Sequence, residues 1–154
     1  MLARALQRAA RMPRISDPLE LLTQQHDEIL ALLDTLATQA QLNELAEHLT
    51  DHLAAEQALL YPMVAGHVAR PVRDELVAEH VEIKRVLADL LWFGLEDADA
   101  PQRIETLRAL LRGHTSYQED QLFELAAETL APIDITVLGN RLAAWFVSSV
   151  AQAA

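Results

Sequence analysis

Four of the six histidines in this chain fall one per amphipathic segment: His26, His52, His80 and His114. Two are followed by a carboxylate, Glu56 four residues after His52 and Glu119 five residues after His114. Imidazole is costly on an apolar stripe unless something there partners it. One histidine per helix lets all four meet inside a bundle. The simplest partner for such a meeting is a metal, most simply a pair of metals. With no cysteine in the chain, disulfides, iron–sulfur clusters and thiolate zinc sites are excluded. Imidazole and carboxylate ligands suit iron, manganese or zinc. His52 and Glu56 share a helix face one turn apart and can reach the same cluster. A carboxylate can bridge two cations and offset their charge.

The elements that must position these residues are helices. Glycine is scarce (4), and Ala, Leu, Glu, Gln and Arg are abundant, so the expected fold class is all-α. Asp17 as cap, Pro18 at the first position and Glu20 in the first turn open a helix over 17–39. Its stripe is Leu19, Leu22, His26, Ile29, Leu30 and Leu33. A second helix, 41–65, carries Leu45, Leu49, His52, Glu56, Leu59 and Leu60, with Pro62 to kink it or mark its last turns. A third, 71–95, carries Leu76, His80, Ile83 and Leu87, and a fourth, 101–130, carries Leu107, Leu111, His114, Leu122 and Leu125. Short links make these an up-down-up-down four-helix bundle over residues 17–132. Residues 133–154 form a further apolar helix, expected to pack on the bundle or to make a homodimer interface.

There is also an internal echo. His52 and His114 are each followed, eight and nine residues on, by an apolar-aromatic pair, Leu60-Tyr61 and Leu122-Phe123, whose aromatic rings read as core. Two helices related by a pseudo-twofold axis would present matching ligands to a two-metal centre.

The formal net charge of −11 argues against nucleic acid as a partner. Residues 1–16 differ, with Arg4, Arg8, Arg11 and Arg14 and no acid. They read as a basic leader, flexible or a short helix. No stretch is apolar enough for a membrane span or a secretory signal, so a cytoplasmic protein is expected.

The segments Gln25-His26-Asp-Glu, His52-x-x-x-Glu56 with Leu60-Tyr61-Pro62, Glu79-His80, and His114 with Glu119 and Leu122-Phe123 resemble the hemerythrin-like proteins of the His-His-Glu cation-binding family. The resemblance spans about residues 18–130. It implies a left-handed four-helix bundle around a non-heme di-iron centre, two iron ions with an oxo or hydroxo bridge. Carried over by position, His26, His52, His80 and His114 are terminal ligands, and Glu56 and Glu119 are bridges. Many members have a Glu four residues after the last His, where this chain has Gln118; Glu119 matches the spacing of the oxygen carriers. The oxygen carriers also have a His pair four apart on the third helix. His80 has Leu76 and Lys84 at those offsets, so a water, His48 or Tyr117 would complete the shell. The resemblance implies a protein that binds or senses dioxygen, peroxide or nitric oxide. A peroxide-decomposing enzyme, and an interaction module with a structural metal, are the alternatives.

Overall fold

A computed structural model describes residues 17–152, and all regular structure among them is helical. The basic leader expected over 1–16 lies outside the described residues. Helix α1 (Pro18–Asp34) opens where the caps predict: the Asp17 side chain accepts the Leu19 N–H at 2.9 Å. It ends at Asp34, earlier than the sequence periodicity suggests. The reason is Thr38, which forms a capping box with Gln41 and starts α2 (Gln39–Ala55).

The second segment continues from α2 through a π-helical turn, π1 (Glu56–Leu60), into α3 (Tyr61–Val64). Pro62 stands in the first turn of α3, and the helix runs two residues past it to Val64. Then come α4 (Arg70–Phe93), ended by Gly94 at φ 80°, and α5 (Ala100–Tyr117). A positive φ suits glycine, which has no Cβ to clash. A second π turn, π2 (Gln118–Leu122), joins α5 to α6 (Phe123–Thr129), and α7 (Pro132–Gln152) closes the chain.

The two π turns explain the internal echo. In each, an N–H reaches back five residues, Tyr61 to the Glu56 carbonyl and Phe123 to the Gln118 carbonyl. Each turn therefore holds one extra residue. The eighth residue after the histidine, rather than the seventh, comes to its face, and Leu60 and Leu122 are both buried.

α1, α2, α4 and α5 form a closed ring, α1 touching α2 and α5, and α4 touching the same two. This is a four-helix bundle. Its core has two apolar layers. One contains Ile29, Leu45, Leu49, Ile83, Leu87 and Leu107. The other contains Leu22, Leu60, Leu76, Leu122, Phe123 and Leu142. The four histidines fall between the layers along every helix and are all buried. Helix α7 packs on α1 and α2 with Leu138, Leu142 and Phe146 inward. Trp145 Nε1 and Ser149 Oγ both donate to Asp51 Oδ1, at 2.8 and 2.7 Å, and tie α7 to α2.

Candidate metal centre

Glu56 opens π1 and is fully buried, with an imidazole from each of four helices around its carboxylate. On one side, Oε1 lies 3.0 Å from His52 Nε2 and 3.5 Å from His26 Nε2. On the other, Oε2 lies 3.2 Å from His80 Nε2 and 3.3 Å from His114 Nε2. Each carboxylate oxygen is thus faced by its own pair of histidines. Ligand atoms of His26, His52, Glu56 and His114 all lie within 4.8 Å of one another.

The outward nitrogens of three rings also face side-chain oxygens. His26 Nδ1 donates to Glu119 Oε1 at 2.7 Å, and His52 Nδ1 donates to Gln25 Oε1 at 3.2 Å. His114 Nδ1 is 3.7 Å from Glu79 Oε1. Protons held outward on His26 and His52 leave bare lone pairs on their Nε2 atoms, aimed at the Glu56 carboxylate. Neither side can donate to the other. Both Glu56 oxygens and the Nε2 atoms of His26 and His52 are enclosed and make no hydrogen bond. Buried polar atoms left so are rare and costly. A cation between them answers the mismatch. Two ligands about 2.1 Å from a common ion and at right angles stand about 3 Å apart, which is the spacing here. An outward carboxylate or amide oxygen behind each ring is also how metal-ligating histidines are commonly oriented. The residues present fit a metal.

Charge follows the same geometry. Burial would push the Glu56 carboxyl up, but the imidazoles around it, His52 foremost, hold it well below the usual carboxylate range. Burial pulls His52 below its ordinary value, which favours the neutral imidazole a metal needs. For His114 burial also pulls down, yet Glu56 and Glu79 outweigh it and raise the ring to about 9. In the metal-free chain a proton there offsets part of the Glu56 charge.

The structure places Glu119 and Gln118 differently. Gln118 stands four residues after His114, as Glu56 does after His52, and is fully buried. Glu119 is 35% exposed and reaches the outer nitrogen of His26, away from the face that His26 turns to Glu56. His48, half-buried, does not belong to the group of close ligand atoms, and Tyr117, also half-buried, packs against the second apolar layer. A residue read from sequence as core takes a polar place instead. Tyr61 Oη is 2.8 Å from His80 Nε2 and accepts from Gln118 Nε2 at 3.0 Å. Burial, reinforced by the Glu56 charge, pushes its phenol far above the ordinary tyrosine range, so it keeps its proton. The internal echo carried the hint: Tyr61 and Phe123 are equivalent, and only Tyr61 bears a hydroxyl.

The family model of the hemerythrin HHE cation-binding domain matches residues 17–126, the span that holds the four histidines, Glu56 and Glu119. The chain belongs to this family. No curated protein and no solved structure matches it. The family and the buried His/Glu group together define a metal-binding site on a helical bundle. Among the described residues no helix is long and apolar enough to cross a membrane.

Proposed function

We propose that this centre holds two iron ions bridged by Glu56, with His26 and His52 serving one and His80 and His114 the other, and that it binds or senses dioxygen or a related small molecule such as nitric oxide. The observation that carries the reading is the division of four imidazoles into two pairs, one pair at each Glu56 oxygen. On this reading Glu119 orients His26 from behind, and Gln118 takes the place of a second carboxylate. The bound iron supplies open coordination positions and reversible one-electron chemistry.

The chain supplies the rest. The apolar layers above and below the polar level keep water out. Phe123 stacks nearly parallel on His26, with centroids 5.8 Å apart, and limits how that ring can turn. Tyr61 holds a proton at Oη beside His80. The same proton supports a second reading, a peroxide-decomposing enzyme at this site, because peroxide cleavage needs a nearby donor. Both readings are of a cytoplasmic protein. A homodimer through α7 has narrower support, since its main apolar stripe is used within the chain and, among its described large apolar residues, those left most exposed are Ile133 at its start and Val147 and Val150 near its end.

The test is reconstitution with ferrous iron in the absence of oxygen, followed by metal counting and a visible spectrum as air is admitted. Two irons per chain with new charge-transfer bands are expected. No retained iron, or one zinc with no bands, would return the histidines to a structural role. Steady turnover of added peroxide would select the enzyme.

A further inference from the structure

A recess lies beside the polar level, between π1–α3 and the start of α4. It is a cavity of about 230 Å³ lined by Gln57, Tyr61, Val64, Leu76, Val77 and Arg73, among others, and its walls are almost wholly carbon. Two features stand out. Arg73 is half-buried, its Nε is enclosed without a hydrogen-bond partner, and among the described residues no carboxylate pairs with it. Its sequence neighbour Asp74 faces Arg70 instead. The other feature is Tyr61, whose ring lines the cavity while its hydroxyl touches His80 and Gln118.

An apolar recess whose one charged group is an unpaired guanidinium is complementary to a small amphipathic anion. A guanidinium binds a carboxylate through paired hydrogen bonds, and the carbon walls favour an alkyl chain. The volume limits that chain to medium length. The leader is the wrong occupant by charge, since residues 1–16 carry Arg4, Arg8, Arg11 and Arg14 and no acid to meet Arg73.

We propose that this cavity binds a medium-chain fatty acid, its carboxylate on Arg73 and its alkyl chain against Val64, Leu76 and Val77, with the Tyr61 ring as the wall shared with the metal centre. The site does not depend on the iron reading, because every group that would hold the ligand belongs to the chain. Occupancy is also felt at the centre, since a chain lying on the Tyr61 ring bears on the hydroxyl beside His80.

Calorimetric titration of the full chain, metal-free and then iron-loaded, with octanoate, octanol and octylammonium tests this. Saturable 1:1 binding of octanoate to both forms is expected, with octylammonium not binding and octanol weaker. Arg73→Gln should weaken octanoate about tenfold and leave octanol unchanged, as loss of a charge-assisted pair predicts. Ala65→Trp, which fills the recess, should abolish both; Val77→Phe serves if that variant does not fold. Equal binding of octanoate and octylammonium, no saturable binding to either form, or an Arg73→Gln variant with unchanged octanoate affinity would overturn the proposal. Equal octanoate binding before and after removal of residues 1–16 excludes the leader as occupant; binding that appears only after its removal would make the leader the occupant and overturn the proposal.

Discussion

Glu56 and Gln118 occupy equivalent places in the two halves of the bundle. Each lies four residues after a ligand-like histidine, opens a five-residue π turn and is fully buried. One is a carboxylate and the other an amide. The centre therefore carries one internal negative charge where a symmetric site would carry two.

Gln118→Glu makes the site symmetric. In the metal-free chain two carboxylates then share a dry level, and the variant should lose roughly 2–3 kcal/mol of stability through like-charge repulsion and desolvation. Iron loading should recover that loss. Thermal melts of both chains with and without iron check this, and the larger metal-induced rise belongs to the variant.

Glu119→Ala removes the acceptor behind His26 without touching the face that looks at Glu56. Metal stoichiometry should hold while affinity falls about 10- to 100-fold, the usual effect of losing such a partner. Titration against a competing chelator separates the two quantities. A drop in stoichiometry would instead make Glu119 a direct ligand.

Leu49→Ala empties part of the apolar layer away from the metal level. It should cost about 2–5 kcal/mol by cavity formation and leave the number of bound metals unchanged. Denaturant unfolding and metal analysis of the same sample check both.

Asp51→Ala removes the acceptor that Trp145 and Ser149 share. The loss should be about 1–3 kcal/mol, with α7 loosened from α2 and the Trp145 fluorescence shifted toward the solvent-exposed value. Metal content should not change, although Asp51 is next to His52.

Much of this was legible in the sequence. The apolar stripes placed the helices, and one histidine per stripe placed the metal level, because both depend on a period of 3.6 residues. Periodicity could not show the π turns, since a single extra residue alters the register without altering composition. The echo of Leu60-Tyr61 in Leu122-Phe123 recorded them all the same. The end of α1 was missed because Thr38 and Gln41 form a capping box with no apolar signal. The placing of Gln118 and Glu119 was open for the same reason as the π turns: neighbouring residues at offsets of four and five are divided between inside and outside by the local winding. Tyr61 looked like core because an aromatic ring at a helical spacing usually is, and its hydroxyl partners come from other helices.

The most direct test of the central claim is the anomalous scattering of iron in crystals of the loaded protein. Two peaks are expected, one on each side of Glu56, the first beside His26 and His52 and the second beside His80 and His114. A single peak, or iron bound away from Glu56, would contradict the account.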